Sequence, residues 1–154
     1  MIDIPQLVHT SAQRTAVIHL TVPASEIRKV MGPAVNELMA VLAAQGIEPF
    51  GPRFSHHLKM PGAVFDLEIG VPVATAVAPA GTVTGGELPA AAVARTVYHG
   101  GMEGLGAAWG ELGAWVAANG RQTRSYLWEY YVVGPDNNPD PAAWKTELNW
   151  PLAN

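Results

Sequence analysis

The sequence predicts an α+β fold built from two tandem ββαββ units, and three observations predict it. Met31, Val35, Leu38 and Leu42 form one apolar helical stripe, and Leu105, Trp109, Leu112 and Val116 repeat its 4, 3, 4 spacing 74 residues later. Each stripe runs to a glycine suited to a helix end, Gly46 and Gly120, again 74 residues apart. Segments that read as strands flank both stripes in the same order. A single stripe arises easily by chance; stripe, terminal glycine and flanking strands recurring together point to a duplication. The expected organisation is a single domain over 1–154, with repeat 1 over about 1–73, a linker over about 74–81 and repeat 2 over about 82–154. Pseudo-twofold symmetry would put the helices on one face and bring the sheet faces they leave uncovered around a ligand cleft between the halves.

Taken in order, Ile2 to Val8 and Thr15 to Leu20 read as strands joined by a turn at Ser11-Ala12-Gln13-Arg14. Ser25 is a candidate N-cap, and Gly32-Pro33 predicts a break in the first helix with a restart at Pro33. Phe54 to Leu58 and Ala63 to Val71 form an expected hairpin around Met60-Pro61-Gly62. Pro72 to Gly81 has no periodicity and reads as the linker. Thr82 to Leu88 and Ala92 to His99 are strands, Met102 to Asn119 is the second helix, and Tyr126 to Val133 and Lys145 to Leu152 are the closing strands. At the same 74-residue offset Phe54-Ser55-His56-His57 falls on Trp128-Glu129-Tyr130-Tyr131, while the last strands align 79 apart.

Composition narrows the function classes. The 154 residues are 49% hydrophobic and 14% charged, as in a compact globular chain. A net charge of −4 without a Lys/Arg run argues against direct nucleic-acid binding. The absence of cysteine excludes disulfides and thiolate chemistry. The start MIDIPQLVHT lacks a basic region followed by an apolar run, and no apolar run reaches the ~20 residues of a membrane helix, so a cytoplasmic location is expected. His56 and His57 are adjacent and so point to opposite faces of a strand; no metal-ligand spacing, phosphate loop or nucleophile elbow is present, and no cofactor or metal is expected.

The candidate chemistry centres on Lys145-Thr146-Glu147-Leu148-Asn149-Trp150-Pro151-Leu152. Strand alternation buries Thr146, Leu148 and Trp150 and turns Glu147 to the other face, where a carboxylate needs a reason. Asp66-Leu67-Glu68-Ile69-Gly70-Val71-Pro72 has the same form, making Glu68 the repeat counterpart of Glu147. All five Trp and all four Tyr fall in the second half, so that half carries an additional task. Aromatic faces bind flat ligands and attract cations by about 0.5–2 kcal/mol each, and a carboxylate among them orients a positive ligand. In the 126–133 strand, alternation separates Trp128 and Tyr130 from Glu129 and Tyr131. Glu129 and Tyr131, the more polar pair, are expected to face the cleft, with Trp128 contributing from its edge.

His99-Gly100-Gly101-Met102-Glu103-Gly104-Leu105-Gly106-Ala107-Ala108-Trp109, the Glu129-x-Tyr131 strand, the Thr146-Glu147-x-x-x-Pro151-Leu152 ending and Phe50-Gly51-Pro52-x-Phe54 together resemble the GyrI-like small-molecule-binding family. That family also supplies effector domains of multidrug-responsive MerR-type and AraC-type regulators; with no helix-turn-helix module ahead of it, this chain resembles a free-standing version. The resemblance implies a cleft for bulky aromatic, often cationic compounds, with Glu147 as its deep glutamate, Tyr131 as partner and Glu129 beside it. His57 stands where the first repeat often carries tyrosine. The expected ligand-binding set is Glu147, Tyr131, Glu129, Trp128, Trp109, Glu68, His57 and Tyr98. The expected activity is binding or sequestering amphipathic aromatic cations. One alternative is a hydrolase of cyclopropane-bearing electrophiles in which Glu147 or Glu129 activates water and Tyr131 donates a proton; another is a protein-interaction regulator such as a topoisomerase modulator.

Overall fold

The computed structural model describes residues 1–153 and is mixed α+β. Eight strands, β1 (Gln6–Thr10), β2 (Gln13–Pro23), β3 (Phe54–His57), β4 (Val64–Pro72), β5 (Val83–Leu88), β6 (Ala91–His99), β7 (Leu127–Val133) and β8 (Lys145–Pro151), accompany two helices, α1 (Ile27–Ala44) and α2 (Leu105–Ala118). They group into two compact units, Ser11–Ala90 and Met1–Thr10 with Ala91–Asn154. These do not coincide with the halves of the sequence. β1 pairs with β6, Val8 opposite Val93, and β5 pairs with β2, Gly86 opposite Thr15. Each unit therefore takes the first strand of the other half of the chain.

Within the unit 11–90 the strand order is β3-β4-β2-β5, all antiparallel. Within the other it is β7-β8-β6-β1, again antiparallel. Registers match as well. His56 lies opposite Glu68 as Tyr130 lies opposite Glu147, and Ile18 opposite Ile69 as Thr96 opposite Leu148. One helix covers one face in each unit. α1 buries Ala34, Leu38 and Leu42 with Ile18, Leu67, Ile69 and Val71; α2 buries Ala108, Trp109, Leu112 and Val116 with Ala94, Leu127 and Leu148. Both helices stop where Gly46 and Gly120 take φ of 68° and 70°, a backbone that side chains with a Cβ rarely adopt.

Three local expectations are corrected. α1 is not broken at Gly32-Pro33 but runs through Pro33. The bond that proline cannot donate would go to the carbonyl of Lys29, and Lys29, Gly32 and Pro33 are all exposed, so water can serve that carbonyl while the buried stripe holds the helix together. Ser25 is not an N-cap; it sits in a 3-10 turn over Ala24–Glu26, whose first amide donates to Ala63 O at 2.9 Å. The 74–81 segment is not a free linker. Val77 is buried in the core under α1, and the side-chain amide of Gln45 both donates to and accepts from the main chain of Ala78, at 2.8 Å each way.

Candidate functional site

The alternation of β7 decides the site. Leu127 is buried under α2, and Glu129, two residues on, turns to the same side and accepts a hydrogen bond from Trp109 Nε1 at 3.2 Å. Tyr131 follows on that face, opposite Thr146. Trp128 and Tyr130 take the other face, opposite Asn149 and Glu147. The expected set is thus divided between two faces. Glu129, Tyr131, Trp109 and Tyr98 are on the helix-covered side of their unit, whereas Glu147 and Trp128 are on the side away from α2.

Glu129 is only 4% exposed. A carboxylate is rarely buried without partners, because desolvation of the charge costs several kcal/mol unless hydrogen bonds replace the water. One donor to it is the indole of Trp109, itself buried on α2 and held edge-to-face against Trp150 at 5.6 Å and 87°. A deep carboxylate thus takes the N–H of one tryptophan that is itself packed against a second. No sequence signal links Trp109 to Glu129: they lie 20 residues apart on different elements, and only the packing of α2 over β7 brings them together.

Glu147, read from the sequence as the deep cleft carboxylate beside Tyr131 and Glu129, is placed differently. Its side chain is 25% exposed and pairs with Arg95 Nε at 3.4 Å, while Asn149 Nδ2 donates to its Oε1 at 3.1 Å. Arg95 Nε also donates to Asn149 Oδ1 at 2.7 Å, and Asn149 is fully buried. Its tyrosine neighbour is Tyr130, not Tyr131, because Tyr130 is the residue opposite it in register. Burial, then the negative charge of Glu147, push the Tyr130 hydroxyl up to about 12, with Arg95 acting the other way. Glu147 therefore belongs to a closed arginine–asparagine–glutamate group whose charges largely cancel.

Tyr98 lies deeper in the same unit. It is buried in the core under α2, and its hydroxyl donates to Gly101 O at 2.8 Å, closing the turn that leads into the helix. In the other unit, His57 is 7% exposed and packs edge-on against Phe65 at 5.2 Å. Burial, and secondarily the neighbouring His56, pull its pKa down to about 4, so the ring is neutral at pH 7. Glu68 lies between His19 and His56 in register, with His56 Nδ1 at 3.5 Å from its carboxylate, and like Glu147 it points away from the helix of its unit. Among the described residues no group of three or more His, Asp or Glu side chains could hold a metal ion.

Comparison with known proteins assigns the class. The model of the GyrI-like small molecule binding domain matches residues 5–153, and the chain belongs to this family. No curated protein matches it in sequence. Among solved structures, the EcmrR C-terminal domain is 21% identical with a TM-score of 0.85, the match covering 98% of each chain. In the EcmrR–DNA complex the chain spans 58% of the EcmrR polypeptide. SAV2435 bound to tetraphenylphosphonium is 10% identical with a TM-score of 0.68, covering 99% of this chain and 95% of that one. A hydrolase from Listeria innocua is 9% identical with a TM-score of 0.68, covering 97% and 91%. At these identities the structures share the fold, and the family assignment carries small-molecule binding in general.

Proposed function

We propose that this domain binds amphipathic aromatic cations on the helix-covered face of β7, with Glu129 as the charge-recognising carboxylate and Trp109 and Tyr131 as its aromatic surroundings. The observation that carries the reading is the buried Glu129 carboxylate accepting from the Trp109 indole. A weakly hydrated aromatic cation suits such a site, because ring faces and a carboxylate both attract it and little hydration is lost on burial. Glu147, which is more exposed and pairs with Arg95, is the weaker candidate. The tetraphenylphosphonium complex of the structurally similar SAV2435 suggests a probe of the right chemistry. No helix among the described residues is long and apolar enough to cross a membrane, and a cytoplasmic scavenging or sensing role is part of the same proposal.

The test is a pair of titrations with tetraphenylphosphonium and the neutral triphenylphosphine oxide. Glu129→Gln keeps an acceptor for Trp109 and removes the charge. It should weaken the cation by about tenfold, ~1.4 kcal/mol, and leave the neutral compound within about twofold. Equal losses for the two compounds would remove charge recognition from the proposal.

A second reading is favoured by the placement of Glu129 and Tyr131 on one face two residues apart, and by the shared fold with a protein described as a hydrolase. Here Glu129 would activate water and Tyr131 would donate a proton to the carbon or heteroatom released when an electrophilic ring opens. More than one equivalent of ring-opened product from a cyclopropane-bearing compound would establish turnover; protection limited to one equivalent returns the protein to binding alone.

A further inference from the structure

We infer that Trp150 is a positioning residue for the Glu129 site, fixing the angle at which Trp109 donates to the carboxylate. The inference rests on the reading of Glu129 as the ligand carboxylate for its functional half; its geometric half stands on four observations. Trp150 Nε1 donates to the main-chain carbonyl of Arg124 at 2.9 Å. That stretch of main chain is itself fastened to the end of β8, through Arg124 N to Pro151 O and Ala153 N to Gln122 O, each 2.8 Å, and through the Thr123–Leu152 bridge. The Trp150 ring then meets Trp109 edge-to-face at 5.6 Å and 87°. Finally, Gly113, one helical turn beyond Trp109 on the same face of α2, leaves room for it: a Cβ there would lie 3.1 Å from Cζ3 and 3.5 Å from Cη2 of Trp150.

These contacts form a sequence from rigid main chain to carboxylate. One end of Trp150 is pinned to Arg124, the ring edge sets the plane of Trp109, and Trp109 hands its N–H to Glu129. The last bond, 3.2 Å, is at the long end of the range for N–H···O, where a few tenths of an ångström or a modest tilt weakens it appreciably. Trp150 can thus control the site through the orientation of the Trp109 ring. Such control is the kind a supporting residue exerts when a functional group must be held within about 0.5 Å.

The inference can be read in ligand-free protein labelled with 15N-tryptophan, in which the indole N–H of Trp109 is assigned by its loss in Trp109→Phe. Trp150→Phe removes the anchor on Arg124, and Gly113→Ala, the milder variant, presses a methyl group on the ring. Both should move the Trp109 indole resonance, as Glu129→Gln should, and both should weaken tetraphenylphosphonium by about fivefold, the scale of one aromatic pair. An unmoved Trp109 resonance in Gly113→Ala, with the Trp150 resonance shifted, would overturn the geometric claim. A moved resonance with unchanged affinity would overturn the functional one. Failure of the unmutated protein to bind the phosphonium would count against Glu129 as a cation site, while the resonance would still decide whether Trp150 orients Trp109.

Discussion

The unit 11–90 and the unit of 1–10 with 91–154 are the same framework carrying different side chains. Leu38 and Leu42 correspond to Leu112 and Val116, Ala34 to Ala108, and the helix ends to one another, all buried or bent alike. The positions that face the helix from the strands have diverged. Where one unit has Glu129, Tyr131 and Trp150, the other has Ser55, His57 and Val71; where one helix carries Trp109 and Gly113, the other carries Val35 and Met39. A helix stripe fixes how helix and strands pack, so it resists change, whereas the positions beside it can be exchanged for polar or aromatic groups without altering register. Our reading of the chain as a duplication rests on that register. The chemistry rests on what departs from it.

The comparison can be strained first at its most conserved point. Leu38→Ala and Leu112→Ala each remove a fully buried side chain and should each cost about 2–5 kcal/mol by denaturant unfolding, with similar values if the two stripes do equivalent work. A cost confined to one of them would mean that the frameworks are unequal despite their register. The next effect is specific to the unit 11–90. His57 is buried neutral with its pKa at about 4 against an ordinary 6.5, so the unfolded chain takes up its proton first as pH falls. Stability should be undiminished above about pH 6.5 and decline toward pH 4, by up to ~3 kcal/mol from this group. His57→Phe, which keeps the edge contact with Phe65, should flatten thermal stability across that window. An unchanged pH profile would transfer the acid sensitivity to other groups.

Smaller effects separate Glu129 from Glu147. Arg95→Met leaves Glu147 without its cation and the fully buried Asn149 Oδ1 without its donor, and should cost about 1–3 kcal/mol in melting experiments. Glu147→Gln should cost about 1 kcal/mol or less and change phosphonium affinity by under about twofold. A larger loss of affinity than that of Glu129→Gln would reverse the order in which the two carboxylates are ranked here.

Much of the fold was legible in the residues. The 4, 3, 4 stripes located both helices, the glycines located their ends, and alternation divided β8 correctly, with Thr146 and Leu148 buried and Trp150 packed under α2. The pairing of β1 with β6 was not legible, because short edge strands carry no partner information in their side-chain pattern. The arrangement of the candidate site residues was half legible for a related reason. A period of two separates Glu129 and Tyr131 from Trp128 and Tyr130 but is silent on which set lies under the helix. Leu127 was the available clue, since it shares its face with Glu129 and is the one apolar aliphatic residue at the start of the strand. Glu147 attracted attention as an isolated carboxylate in an apolar strand, yet its Arg95 partner lies on another strand, 52 residues earlier, and no local spacing announces it.

The exchange of first strands has a consequence for the order in which the protein can be made. Residues 11–90 are contiguous, so that unit can close its strands as soon as β5 has emerged from the ribosome. β1 precedes its partner β6 by some eighty residues, and closing so long a loop makes their pairing a late, non-local event. β1 thus waits as an unpaired, strand-forming segment until β6 is made, with Leu7 among the side chains that stay exposed even after folding. That waiting strand, with its open edge, is where crowding or a chaperone would act during folding.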